Sequence, residues 1–329
     1  LWHVGTGQVE ILLSRQPLSE TLHSTKIPPE DREKLALVPT VKKFGVQHLG
    51  LKGSRNYEHF VKLDREFTTL VLTAAQPDSL DVFRWTFPIV GAVPYIGFFD
   101  RAKATNERDR MKADGYDVYL RSASAFSTLG WFQDPILSPM LAMDEVDLAN
   151  TVLHEMTHAT IYFANHTEFN ETAATFVGNQ ASLMYLAARY GAYSSQVTAA
   201  IHEFEDQRRF SLFIRQTIDG LREVYKQHDS RQGRLTAKVA YLEQAKQRFR
   251  EEVLTQMHNP QYYERFPNSE WNNASLLARD AYYGDLELFA KLFAKRGESL
   301  RDFIRYLQTW ESDPDPRLRL QRESGVLPG

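Results

Sequence analysis

One short run of side chains carries recognisable chemistry on its own: His154-Glu155-Met156-Thr157-His158. On a helix, residues four apart differ by ~40° in direction, so both imidazoles leave the same face. Two neutral imidazole nitrogens presented this way can bind one Zn²⁺ at ~2.0–2.1 Å. Glu155 is turned ~100° from His154. It therefore faces a water on the metal rather than the metal itself, which suits a general base. The flanking Ala149, Val152, Leu153, Met156 and Ala159 are apolar or small, as a buried helix requires. Chance produces the pattern in roughly one chain in a hundred of this length, so a third ligand must decide. Three candidates follow it: His166, Glu168 and Glu171.

The elements that must position these groups can be read from period and punctuation. Asp144 can cap a helix that starts near Glu145 and runs through Met156 into Tyr162. After a connection around Ala164-Asn165-His166, a second helix is predicted over Thr167 to Tyr190. Upstream, Pro28-Pro29 opens a helix over Glu30 to Leu37, and Phe67 to Leu72 reads as a strand. Gly and Pro recur from Pro77 to Gly97, a helix follows over Arg101 to Gly115, and Tyr116 to Leu120 alternates as a strand. Ala125 to Phe132 is extended by pattern. From Ser194 the chain reads as helix, with a long antiparallel hairpin broken near Ser230–Gly233. Shorter helices are predicted near Ala274–Tyr283, Leu286–Lys295 and Ser299–Trp310, and the Pro- and Arg-rich tail from Asp313 is expected to fray. The expected class is α+β, a small mixed sheet followed by a mainly helical C-terminal half. It falls into three successive segments: residues 1–66, mostly helical; 67–193, a core with the edge strand and the H-E-x-x-H helix; and 194–329, helical, closing the active-site cleft.

Composition narrows the classes. The chain has 329 residues, 43% apolar and 25% charged, which describes a globular protein of one or two domains. A net charge of −3 argues against a nucleic-acid partner, which favours a basic excess. The absence of cysteine excludes disulfides, cysteine zinc fingers, iron–sulfur clusters and thiol nucleophiles. The longest apolar stretch, Phe87 to Phe99, is too short to span a bilayer and is interrupted by Pro and Gly. Phosphate-binding glycine loops and a G-x-S-x-G elbow are absent, and seven of the ten histidines show no ligand spacing. The chain begins at Leu1, which is read as a trimmed form whose targeting segment has been removed.

HEMTH followed by Phe169-Asn-Glu-Thr-Ala-Ala-Thr175 resembles the gluzincin peptidases, in which an Asn-Glu followed by small residues presents the third ligand. A metzincin is excluded, because Ile161 and Ala164 stand where it needs Gly and His. The wider set GQVEILLSRQPL, FPIVGAVPYIGFFD, DGYDVYLRSASAFSTLGWFQDPIL, LHEMTHATIYFANHTEFNETAATFVGN and WNNASLLARDAYYGDLELF spans most of the chain. It resembles a bacterial family classed as zinc aminopeptidases and usually made as envelope lipoproteins. The resemblance implies a zincin-like fold and one Zn²⁺ per chain on His154, His158 and Glu171. It also implies a periplasmic location through a lipid anchor on the precursor. Twelve residues separate His158 from Glu171 and no Gly-x-Met-x-Asn signature occurs, which sets the chain apart from better-known gluzincins.

In gluzincins an edge strand upstream of the motif pairs with substrate. Ser127, Thr128, Leu129 and Gly130 occupy that place and could bind an extended peptide by strand addition. A second electrophile for the oxyanion is sought in Tyr282 or Tyr283, and a carboxylate for a free α-amine in Glu168 or Asp134. The first reading is thus a zinc-dependent peptidase, of aminopeptidase type, acting on peptide substrates with Glu155 as base. The alternatives are an endopeptidase of the same mechanism and an envelope scaffold that keeps the fold. Oligomeric state is not legible.

Overall fold

The structure is a computed structural model that describes residues 13–53, 55–65, 67–87, 91–123, 134–297 and 299–326. Its strands are β1 Gln16–Pro17, β2 His59–Val61, β3 Thr69–Ala75, β4 Trp85–Phe87, β5 Gly91–Val93, β6 Tyr95–Phe98, β7 Asp117–Ala123 and β8 Ile136–Leu137. Its main helices are α1 Pro29–Phe44, α2 Arg101–Ala113, α3 Glu145–Thr160, α4 Thr167–Tyr190, α5 Ser195–Lys226 and α6 Arg231–Arg248. They continue with α7 Asn273–Tyr283, α8 Leu286–Arg296, α9 Leu300–Gln308 and α10 Pro316–Glu323. The class is α+β with small sheets, as the sequence predicts.

The chain forms two compact units, and neither is continuous in sequence. The first takes Leu1–Thr69, Ser122–Ala200 and Asp285–Gly329; the second takes Leu70–Arg121 and Ile201–Gly284. The boundaries at residues 66/67 and 193/194 suggested by composition do not coincide with this grouping, because packing partners are shared across distant stretches of chain.

In the first unit a short mixed sheet has the order β1-β2-β8. β1 and β2 are antiparallel, with Gln16 opposite Phe60, while β2 and β8 are parallel, with Phe60 opposite Ile136. β8 leads through one tight turn to Asp144 and α3. A helical aromatic core lies in the same unit as this sheet. Phe176 on α4 packs on Phe289 (5.7 Å between centroids), Phe293 (5.8 Å) and Phe303 (5.7 Å), all from the last of the three stretches. Burying such rings favours folding, each ring removing a large apolar area from water.

Two sequence expectations are corrected here. α3 ends at Thr160 rather than reaching Tyr162, because Ile161 is extended (φ −127°, ψ 127°). That end is satisfied from outside: Gln308 donates to the Thr160 carbonyl at 3.2 Å, and the Lys52 amide donates to the Thr160 hydroxyl at 2.9 Å. The tail does not fray over 316–323. Asp315 Oδ1 accepts from the Leu318 amide at 2.9 Å, Pro316 sits in the first turn, and Leu320 is fully buried. A capping Asp followed by Pro is a helix start, although the same residues read as breakers in isolation.

In the second unit β3 is central to a sheet of order β6-β3-β7, and Leu72 and Met111 lie in its buried cluster. The hairpin α5–α6 builds the other cluster, with Phe213, Ile218, Leu221 and Phe249 buried. Asn272 and Ser275 form a capping box at the start of α7. Polar side chains join these parts. Lys238 Nζ on α6 donates to Asp117 at 2.8 Å and to the Pro77 carbonyl at 2.7 Å, while the Asn273 amide donates to the same Asp117 oxygen at 2.9 Å. Removing one partner of so enclosed an ion pair strands the other charge. Asp117→Ala is expected to lower stability by ~3–5 kcal/mol, whereas replacing Asp117 and Lys238 together by Leu and Met costs much less. Urea denaturation of the two variants measures this; equal losses would mean that the pair is not the element joining α6 to the sheet.

Candidate metal centre

α3 and α4 carry the centre, and their local chemistry fixes where each side chain lies. Asp144 Oδ1 caps α3 by accepting from the Asp147 amide at 2.9 Å, and Glu145 and Asp147 complement the positive end of its dipole. Leu148, Val152, Leu153 and Met156 bury its apolar side. Behind them Gly45 permits close approach, since a Cβ there would lie 3.1 Å from Leu153 Cδ2 and from Met156 Cε.

The α3–α4 contact is tighter still. A Cβ on Gly178 would lie 2.8 Å from Asn150 Oδ1 and 3.3 Å from His154 Cβ. Beside it Asn150 Nδ2 donates to Asn179 Oδ1 at 2.6 Å. At the other end of the pair, Asn170 Oδ1 accepts from the Phe163 amide and its Nδ2 donates to the Phe163 carbonyl, each at 2.8 Å. The connection between the helices is thereby tied to the residue immediately before Glu171.

Three donor atoms converge between these two fixings. His154 Nε2 and His158 Nε2 are 3.1 Å apart, and Glu171 Oε2 lies 3.5 Å and 3.6 Å from them. Ligands ~2.0–2.1 Å from one tetrahedral metal stand about 3.3 Å from each other. The donor set of two imidazoles and a carboxylate thus fits a divalent metal in composition and in spacing. Among the described residues it is the only such convergence of His, Asp and Glu side chains. Glu168, in the first turn of α4, and His166, which precedes it, are not in the group.

The electrostatics favour a cation at this point. Burial alone would raise the Glu171 pKa, but His158 and His154, by charge and hydrogen bonding, hold the carboxyl well below the usual carboxylate range. Burial alone would lower the His158 pKa, but Glu171, by charge and hydrogen bonding, and the charge of Glu155 raise it. A field that stabilises a proton on His158 also stabilises a metal ion in the same place. Glu155 is half-buried, and its Oε2 has no hydrogen-bond partner among the described residues. A buried carboxylate oxygen without a partner calls for an explanation, and a reserved place for substrate or solvent is one.

The other expected site residues are placed as follows. Ser127, Thr128, Leu129 and Gly130 lie outside the described residues. Tyr282 is on α7 in the second unit, with the Arg121 guanidinium 5.0 Å over its ring. Tyr283 is the last residue of α7. Asp134 is buried; its amide donates to Asn56 Oδ1 at 3.1 Å, and its carbonyl accepts from the Tyr57 amide at 2.6 Å.

Three residues of the unit that holds the centre escaped the sequence reading. Gly178 had a signal, a glycine inside a helical pattern, which points to close packing. Asn170 had a weaker one, its place directly before Glu171. Tyr57 had none, because its distinction is conformational. It is buried and adopts φ +64°, a left-handed backbone that costs a bulky side chain on the order of 1–3 kcal/mol. Burial first, then the charges of Glu155 and Asp134, push its phenol well above the ordinary range.

Two helix-borne imidazoles, a carboxylate from the next helix and an unpaired glutamate beside them define a candidate mononuclear metal centre of the H-E-x-x-H…E class. The chain belongs to the Aminopep family, whose description is "Putative aminopeptidase" and whose model matches residues 1–321. No curated protein and no solved structure matches the chain.

Two outcomes follow from this geometry. Gly178→Ala should leave a folded helical protein but separate α3 from α4, weakening divalent-metal binding by ~10–100-fold, the range seen when a ligand's support is lost. Competition with a fluorescent chelator checks it, and unchanged affinity would show that the close approach is irrelevant to the ligands. For Tyr57 the sign is set by a folded pKa above the unfolded one. The stability held by the neutral phenol is complete below pH ~10 and is lost as pH rises toward the folded pKa. Wild type should therefore lose stability above pH ~10 more steeply than Tyr57→Phe in urea titrations; parallel losses would place the phenol in water.

Proposed function

We propose that the chain is a zinc-dependent aminopeptidase of zincin-like fold. The observation that carries this reading is the convergence of His154 Nε2, His158 Nε2 and Glu171 Oε2 within 3.6 Å of one another, next to a glutamate with an unpaired oxygen. Membership of an aminopeptidase family supports peptide substrates and release of N-terminal residues. Two imidazoles and one carboxylate suit zinc, which in such sites keeps a fourth position open. When bound, zinc would supply Lewis acidity, making a water more acidic and a carbonyl more electrophilic.

The protein residues have separate tasks. His154 and His158 present their Nε2 atoms from one face of α3, and Glu171 adds the negative charge that offsets a dication. Glu155 takes the proton from the attacking water and delivers it to the nitrogen of the departing amine. Its half-buried setting keeps the carboxylate close to the reacting atoms and partly shielded from competing solvent. The proposal extends to a location on the periplasmic side, reached through a lipid anchor on the precursor, which is what the family resemblance of the sequence implies. Among the described residues no helix is long and apolar enough to cross a membrane.

Glu155→Gln separates a catalyst from a scaffold, since it keeps size and leaves all three ligands in place. Zinc per chain and melting temperature should stay near wild type while peptide hydrolysis falls by at least ~100-fold, the usual cost of losing a general base. Unchanged hydrolysis in a contaminant-free preparation would sink the mechanism. The same wild-type sample, offered free and N-acetylated forms of one peptide, should trim only the free form. Equal internal cleavage of both would make it an endopeptidase.

A further inference from the structure

The ligands of the candidate centre belong to two rows of side chains that face each other. On α3, Asn150, His154 and His158 follow at intervals of four; on α4, Glu171, Thr175 and Asn179 do the same. Residues four apart form one row along a helix. The rows touch at both ends. Glu171 Oε2 lies 3.6 Å from His158 Nε2, and Asn150 Nδ2 donates to Asn179 Oδ1 at 2.6 Å. The helices are therefore antiparallel, and the amide pair stands about 12 Å along them from the outer ligand pair. Asn150 is also lodged against Gly178, where a Cβ would lie 2.8 Å from its Oδ1.

Stability does not call for two amides at this place. Asn is a poor residue for a helix interior, and a buried amide must find a partner. An aliphatic pair of similar shape would serve the contact about as well. What the amides add is direction. Apolar burial is non-directional, whereas a hydrogen bond holds its atoms within a narrow range of distance and angle. A buried Asn fixes register in coiled coils in the same way, at a cost in stability. A second set of ties between the helices lies farther from the centre. Tyr190 Oη donates to Glu145 Oε2 at 2.6 Å, and Arg189 Nε pairs with Glu145 Oε1 at 3.0 Å. Tyr190 is 38% exposed and the Arg189 side chain 43%, so these long arms can follow a sliding helix, while Asn179 is 5% exposed. Thr175, in the middle of its row, donates its hydroxyl to the Glu171 carbonyl of its own helix at 2.8 Å.

We propose that Asn150 and Asn179 are positioning residues of the metal centre, their hydrogen bond setting the axial offset of α4 on α3 that brings Glu171 to the two imidazoles. The inference rests on the metal reading above and deepens it. The three donor atoms stand 3.1 to 3.6 Å apart. Sliding α4 by one residue would carry Glu171 ~1.5 Å along the axis, several times the ~0.2 Å that a metal–ligand distance tolerates.

The experiment separates register from stability. Asn179→Leu strands the Asn150 amide, so it should lower both the urea midpoint of the metal-free protein and its zinc affinity. Combining Asn150→Leu with Asn179→Leu removes the stranded group and restores an apolar contact. The urea midpoint should then return near the wild-type value, while zinc affinity, from competition with a fluorescent chelator, stays ~10–100-fold weaker. Cobalt(II) gives a second readout: four-coordinate cobalt absorbs strongly in the visible, and the doubly substituted protein should lose that intensity at saturating metal. If the double replacement regains zinc affinity to within about threefold of wild type together with its stability, the pair is packing alone and the proposal falls, with the metal centre intact. A wild type that takes up neither zinc nor cobalt overturns both. Should the double replacement not fold, Asn150→Ala removes the donor from a half-buried position of α3, and unchanged zinc affinity in that variant refutes the assignment.

Discussion

A carboxylate buried against two imidazoles is costly unless something charged joins them, so the protein must hold the three where they would not gather unaided. Glu171 shows how this is done. It cannot retreat toward water, because Asn170 ties the preceding turn to Phe163 and Gly178 lets α4 lie against Asn150 and His154. Desolvation opposes the carboxylate, yet two facing imidazoles more than offset it. The remaining core of that unit, from Phe176 to Phe289 and Phe303, packs α4 against α8 and α9 and so anchors the helix that carries Glu171.

Support for the candidate ligands is polar on one side and apolar on the other. Asn150 and Asn179 make the side-chain contact between α3 and α4 that requires a fixed register, and Asn170 ties α4 to the connection at Phe163. Apolar side chains at Leu153 and Met156 face Gly45, where only volume has to match. Hydrogen bonds specify position within a few tenths of an ångström, and packing contributes most of the energy. Tyr57 follows the same division, with its backbone fixed by polar groups and its ring buried.

Legibility in the sequence tracked the range of the interactions. The start of α3 at Asp144 and the whole extent of α4 from Thr167 to Tyr190 were readable, since caps and 3.6-residue periods are local signals. His154 and His158 were readable for the same reason. Glu171 required the resemblance to a peptidase class, because spacing alone left His166 and Glu168 open. The end of α3 was missed because Gln308 and Lys52, distant in sequence, satisfy it. Tyr57 was invisible because no residue pattern encodes a positive φ in a tyrosine. The division into two units was hidden by discontinuity, as composition changes gradually along a chain that visits each unit more than once.

That discontinuity has a consequence during synthesis. The span from His154 to Glu171 is a local helical hairpin, a topology that forms rapidly once it leaves the ribosome. Its aromatic cover is not local. Phe289, Phe293 and Phe303 emerge only after every residue of the second unit, including the whole of the α5–α6 hairpin. At a few residues per second to some tens, the nascent centre waits several seconds with Phe176 uncovered. In that interval the candidate ligands stand on formed helices while the packing that anchors α4 is incomplete, so the chain's own connectivity delays maturation of the centre until the last stretch has been made.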